Sequence, residues 1–277
     1  MRFEEAWTPR FPEKERETVT GHDLWVYGVV AQGDEVRPEE RNIEGGEDFV
    51  WIRAASLAAL ASYVPAADYN EKALARHQDD ASWVVGRVQA SAAVIADVFS
   101  RRVIIPFKFG AVFSTPESLQ KRLHEQRTEF HELLKRLENK EEWGVKIFGS
   151  IEAQSIRMVE WKLDQAVKNG VTSGKLYMLK KQLRQSNLRD AERDLKEKAR
   201  RVHQLLLMST DAHQIGKAAS EPPISGNSVC LMKSSYLVSS SERNQFLTRI
   251  HDAGRQYEEL QVKVSGPWAP YSFCRTK

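Results

Sequence analysis

Trp143-Gly144-Val145-Lys146-Ile147-Phe148 reads as a strand, and the order of elements after it decides the fold of the second half of the chain. A long helical region comes next, broken near Asn169-Gly170 and again at Ser173-Gly174. From Lys175 onward Leu176, Leu179, Leu183, Ala191, Leu195, Ala199, Val202 and Leu205 hold one apolar stripe at helical spacing. A strand is expected near 212–219, a loop at 221–227 and a buried strand over 229–238. Ser239 and Glu242 have the spacing of a capping box, opening a helix through Phe246, Leu247, Ile250 and Tyr257. Val262 and Val264 alternate in a last strand that meets Gly266-Pro267-Trp268-Ala269-Pro270-Tyr271-Ser272-Phe273. Strand, helix, strand, strand, helix, strand is the ferredoxin-like order. The expectation is an α+β protein of two domains, the C-terminal one, 141–277, being ferredoxin-like (βαββαβ) with a long helical insertion.

Working back towards the start, Leu24-Trp25-Val26-Tyr27-Gly28-Val29-Val30 is apolar on both alternating faces, as in a strand covered on two sides. Phe49-Val50-Trp51-Ile52 is a second strand. Residues 57–64 fit either a helix, through Leu57, Leu60, Ala61 and Val64, or a strand edge, by their length and Pro65. Residues 70–99 read as helix, with Trp83, Val84, Val88, Ala92 and Ile95 on one side. The stretch 101–107 looks like a strand interrupted by Pro106, at a sheet edge or strand end. Leu119, Leu123, Gln126, Phe130, Leu133 and Leu137 then form a single stripe along one helix. These elements make an N-terminal α+β domain over 22–140. Residues 1–21, with five Glu, four Lys or Arg and two Pro, read as a mobile tail. Phe3, Trp7 and Phe11 recur there every four residues, either incidentally or as a segment that docks on a partner.

The 277 residues carry 41 Lys and Arg against 38 Asp and Glu, a net charge of +3, too balanced to mark a nucleic-acid or membrane-surface protein. No apolar run is long enough to span a bilayer, and the charged, proline-broken start lacks the apolar run of a signal peptide. Cys230 and Cys274 form no CxxC, so a cytosolic protein is expected. Gly170-Val171-Thr172-Ser173-Gly174-Lys175-Leu176 approaches a phosphate loop, but Asn169 replaces the first glycine and Leu176 the metal-binding hydroxyl. His124 and His131 share a helix face roughly 10 Å apart, too far for one metal ion. Asp79-Asp80 beside His77 reads as a solvated face, and no GxSxG elbow is present. No catalytic residue, metal site or cofactor is indicated. The one strong charge feature is 175–201, where ten Lys or Arg stand against four Asp or Glu. It is either a solvated helix face or a cationic surface, with Lys180, Lys181, Arg184 and Arg193, for phosphates or an acidic protein. Tyr177 alone could stack on a base there.

Several segments, in order, resemble the gas vesicle protein family GvpF/GvpL. They are the opening 24–30 segment, His77 ahead of Trp83 and Val84, Ile105-Pro106-Phe107-Lys108-Phe109-Gly110-Ala111-Val112-Phe113, Glu142-Trp143-Gly144-Val145-Lys146, Tyr236-Leu237-Val238, and the 266–273 ending. The family's proline segment commonly reads P-x-R-F-G-T-x-F, so Lys108 and Ala111 stand here for Arg and Thr, and Lys108 lacks the planar fork. The resemblance implies a non-enzymatic, cytoplasmic assembly factor and minor component of gas vesicles. Its client would be the small, very hydrophobic shell protein, with other accessory gas vesicle proteins as further partners and no membrane. The motif residues Pro106, Phe107, Lys108, Phe109, Gly110, Phe113, Trp143, Gly144, Gly266, Pro267, Trp268, Pro270 and Tyr271 are either structural or partner-binding. Nucleic acid is not an expected partner; the alternative function is a nucleic-acid-binding module built on the ferredoxin-like sheet and the basic helix 175–201.

Overall fold

Strand β1 (His22–Ala31) is buried from Leu24 to Val30, and the first sheet is built around it. The computed structural model describes residues 21–77, 79–218, 223 and 226–274. The expected tail up to residue 20 therefore lies outside the described residues, as does most of the 221–227 loop. β2 (Val50–Ala54) and β3 (Leu57–Pro65) form an antiparallel hairpin, and the sheet order is β2-β3-β1-β4, with β5 also on β1. Residues 57–64 are thus a strand. Its register with β1 runs from His22 opposite Pro65 to Ala31 opposite Leu57, with a bulge at Tyr27.

Next come α1 (Ala66–Tyr69), α2 (Glu71–His77) and α3 (Ala81–Arg101). The expected strand over 101–107 contracts to β4 (Ile105–Pro106), and β5 (Val112–Phe113) follows after a turn. The long stripe of 119–137 is two helices, α4 (Pro116–Glu125) and α5 (Arg127–Leu137), separated at Gln126. Thr115 caps α4 and Pro116 occupies its first position, which fixes the start of the helix. Trp25, Tyr27, Leu60, Val94, Val98 and Ile104 are buried together in this core.

The second sheet is made by β6 (Lys140–Ser150), β7 (Ala212–Ile215), β8 (Ser228–Ser239) and β9 (Leu260–Trp268), in the order β7-β8-β6-β9. Helices α6 (Ile151–Lys168) and α7 (Ser173–Leu207) connect β6 to β7, and α8 (Arg243–Gln256) connects β8 to β9. β6 and β8 pair antiparallel from Lys140 opposite Ser239 to Ser150 opposite Ser228. The C-terminal half of α7 lays Leu195, Ala199, Val202 and Leu206 on Trp143, Val145 and Ile147 of β6, with Phe246 and Ile250 of α8 beside them. Each large apolar side chain buried this way contributes about 1.5–3 kcal/mol.

Two further expectations change. The Ser239–Glu242 pair makes no capping box: Glu242 is itself the cap residue of α8 without a side-chain bond, and its N–H donates to the Ser239 carbonyl at 2.9 Å. The second compact unit spans Lys140–Pro267 rather than running on to 277, and the described residues from Trp268 onward belong with those up to Asn139. The reason is packing: Ala269 is buried in the first core, and the Phe273 carbonyl accepts from Arg136 at 2.6 Å.

Candidate partner-binding surface

The proline segment hangs on β1 at both ends. Pro106 is buried opposite Gly28, and the Phe107 N–H donates to the Tyr27 carbonyl at 2.9 Å. At the other end the Ala111 carbonyl accepts from the Val26 N–H at 2.9 Å, and Phe113 lies opposite Leu24. Between them the chain turns on Gly110, whose φ of +86° bulky residues resist. Gly28 is required for the approach, since a Cβ there would sit 2.6 Å from the Ile105 carbonyl oxygen. Phe107 meets Phe113 and Phe130 edge-on, at 6.4 and 6.2 Å between centroids. Lys108 and Phe109 turn outward: Phe109 touches Trp25 edge-on at 4.9 Å and stays 40% exposed.

Trp143 and Gly144 sit where β6 meets β9. The indole is buried beside Phe246 and donates from Nε1 to Glu141 at 3.2 Å. A Cβ on Gly144 would stand 2.8 Å from the Ser265 hydroxyl, and one on Gly266 would stand 2.9 Å from the Glu142 carbonyl. Gly266 is thus a place of close backbone approach, whereas the close neighbour of Gly144 is a serine side chain. In the ending, Pro270 is buried, while Pro267, Trp268 and Tyr271 are exposed.

Around His77 and Trp83 the structure assembles a cluster that sequence spacing did not reveal. The two rings stack at 4.3 Å and 5°, and the Arg87 guanidinium lies 4.5 Å from the indole centroid. Arg87 Nε donates to the Tyr69 hydroxyl at 2.9 Å, and that hydroxyl donates in turn to Glu44. Burial, then the bond to Glu44, pushes the Tyr69 hydroxyl well above its ordinary pKa. Asp80, expected as solvated face, accepts from the Ser82 and Trp83 N–H groups and caps α3. The D-x-S-W pattern ahead of the apolar stripe was its available signal.

The largest departure from ordinary amphipathic packing is the α6–α7 hairpin. Its inner side holds polar groups: Asn187 is 0% exposed, and Gln154 and Ser155 are buried. Lys162 Nζ donates to Asn187 Oδ1 at 3.1 Å, and Gln154 Nε2 to Asp194 Oδ2 at 2.7 Å. Several of its apolar side chains face out. Trp161 is 64% exposed, and Ile156, Val167, Tyr177, Met178 and Leu188 are exposed with it. A groove of about 450 Å³ runs along this face, floored by Ile156, Val159, Leu163 and Leu188. Glu152 and Glu160 stand on its α6 wall and Lys180 on its α7 wall.

Two of the four residues expected on a cationic face have described side chains. Lys180 is exposed at the groove, the side chains of Lys181 and Arg184 lie outside the described residues, and Arg193 bonds Asp190 at 2.8 Å. The four carboxylates of the stretch, Asp190, Glu192, Asp194 and Glu197, each pair with a basic neighbour on the same helix. The basic excess therefore falls on 175–189, which holds five Lys or Arg and no Asp or Glu. Among the described residues no group of three His, Cys, Asp or Glu could hold a metal ion, and no helix is long and apolar enough to cross a membrane.

Comparison with known proteins agrees along nearly the whole chain. Gas vesicle protein L of a Streptomyces species is 27% identical over 251 residues, 90% of this chain and 92% of that one. Gas vesicle protein F1 of Halobacterium salinarum is 24% identical over 254 residues, 91% of this chain and 92% of that one. The crystal structure of gas vesicle protein GvpF from Anabaena superposes with a TM-score of 0.63 at 16% identity, covering 92% of this chain and 97% of that one. GvpF from Microcystis aeruginosa gives 0.61 at 16% identity, over 92% and 99%. These likenesses establish a mixed fold with two antiparallel sheets. The model of the gas vesicle synthesis protein GvpL/GvpF family matches residues 23–275, and the chain belongs to that family.

Proposed function

We propose that this chain is a non-enzymatic gas vesicle assembly factor. In this reading it binds the hydrophobic shell protein during nucleation, limits its aggregation in the cytoplasm and stays as a minor vesicle component. The family match over 23–275 carries the reading. The outward-facing apolar side chains of the hairpin support it, because a client with an exposed apolar patch self-associates unless another apolar surface covers that patch. Other accessory gas vesicle proteins are further partners in this view.

The order β9-β6-β8-β7, which is fourth, first, third and second along the unit, supports a ferredoxin-like second domain with α6 and part of α7 as the insertion. We read the two units as separate domains and most motif residues as structural, with Lys108, Phe109, Pro267, Trp268 and Tyr271 as the exposed exceptions. Nucleic-acid binding finds less support, since Lys196, Lys198, Arg200 and Arg201 already face carboxylates.

The test is co-expression of the shell protein with and without this chain, with sedimentation as the readout. A soluble complex of defined stoichiometry is expected only when both are present. An unchanged sedimentation profile would remove direct client binding.

A further inference from the structure

Ile156 and Leu188 are exposed on the hairpin while Val159, on the same groove, is buried, so packing within the hairpin leaves part of this apolar face uncovered. Ile156, Val159 and Leu163 recur along α6 at spacings of three and four, and Leu188 of α7 closes the floor opposite them. From Glu152 to Leu163 the groove follows roughly 16 Å of helix, about three turns. A furrow between two antiparallel helices accepts a third helix, whose side-chain ridge fits between theirs. An extended strand would find no sheet edge there to pair with. The walls differ in sign: α6 offers the carboxylates of Glu152 and Glu160, and α7 offers the ammonium of Lys180.

We infer that this groove takes an amphipathic helix of a partner protein. The helix spans about three turns, its apolar stripe seats on Ile156, Val159, Leu163 and Leu188, and carboxylates border that stripe on the side facing α7. Basic side chains on its other flank meet Glu152 and Glu160. Reversing the direction of the helix would exchange the flanks and set like charges together, so the unequal walls also fix its polarity. The inference deepens the proposed function and rests on it only in that the chain has a protein partner; it names the surface and the chemistry of the occupant.

The experiment uses the full chain and three synthetic helical peptides of about 16 residues, with fluorescence anisotropy as the readout. The first has a leucine stripe flanked by Glu on one side and Lys on the other. The second carries Lys on both flanks, and the third replaces the leucines by Ser. The first is expected to bind, the second about tenfold more weakly, and the third not at all. Ile156→Asp should weaken the first peptide about tenfold without lowering the melting temperature, because Ile156 is exposed. Lys180→Glu should narrow the preference for the first peptide over the second. Equal binding of the first two peptides, absence of binding, or indifference to Ile156→Asp would overturn the inference. So would a dimer of the chain that Ile156→Asp dissociates while the peptides fail, since the occupant would then be a second copy. Sedimentation of the shell protein with the Ile156→Asp chain separates the two readings. Peptide failure with an intact shell complex sinks only this inference, whereas peptide binding without a shell complex sinks only the proposed client.

Discussion

Arg243 holds the carboxylate of Glu141 with two guanidinium nitrogens: Nε lies 3.0 Å from Oε2 while the terminal nitrogen meets Oε1. Glu141 is 6% exposed and also accepts from the Trp143 indole, so this pair ties the start of α8 to β6 beside a motif residue. Removing the cation leaves a buried carboxylate with the indole alone. Arg243→Ala is therefore expected to cost about 2 kcal/mol, less than a fully buried pair because the Arg243 side chain is 43% exposed. Arg243→Lys should recover only part of this, lacking the planar fork. Urea unfolding of both variants beside Arg193→Ala, whose ion pair is on the surface, gives the measure. If the two Ala variants lose the same stability, the pair does not hold α8.

The His203 ring is buried against Tyr236, its Nδ1 at 2.6 Å from the hydroxyl, with the His213 ring 5.0 Å away. Burial, then the neighbouring His213, holds its pKa below the ordinary 6.5. The folded state consequently binds fewer protons here than the unfolded state does. Stability is complete above the unfolded value and declines as pH falls through it towards the depressed folded one. Asp80, held low by the Ser82 hydroxyl and the Trp83 N–H, acts in a separate and more acidic window. Unfolding free energies between about pH 7.5 and 5.5 should slope downward for the parent chain, and His203→Gln should flatten the slope. An unchanged slope would place the effect on another group.

Ala55 and Ser56 make the two-residue turn between β2 and β3 with φ of +54° and +62°. Both angles are left-handed, as a tight hairpin turn requires, yet neither residue favours that region. The double change Ala55→Asn and Ser56→Gly supplies residues that do, and should raise stability by about 1 kcal/mol. Thermal and urea denaturation would show it as a higher midpoint with an unchanged urea slope. A lowered midpoint would mean that the parent side chains make contacts worth more than the strain.

The same turn shows why part of the fold was hidden. With no Gly or Asn between Ala54 and Leu57, the strand after the turn lost its punctuation, and its apolar pattern fitted a helix equally well. β6 and β8 were legible because alternating or continuous apolar residues stand between clear breaks. The stripe from Leu119 to Leu137 was legible as helix, but an apolar face that stays in phase across Gln126 conceals the break. At the C-terminus, periodicity could place Trp268 on a strand but could not say which core receives Ala269. The hairpin groove was beyond a stripe-based reading altogether. Such a reading assumes apolar side chains face inward, and Trp161 and Ile156 do the reverse.

The proline motif divides by direction, which makes its two central phenylalanines a test of what the motif is for. Phe107 packs between Phe113 and Phe130 on the inner side, so Phe107→Ala should cost about 3 kcal/mol through the lost area and the cavity left behind. Phe109 is half out in solvent and keeps only its edge contact with Trp25, so Phe109→Ala should cost about 1 kcal/mol. Measured together with shell-protein sedimentation, the pair distinguishes scaffold from surface. If the motif is scaffold, loss of complex follows loss of stability, and Phe109→Ala sediments like the parent chain. A Phe109→Ala chain that melts normally yet leaves the shell protein in the pellet would reassign this turn to the client, and with it the exposed Lys108 beside it.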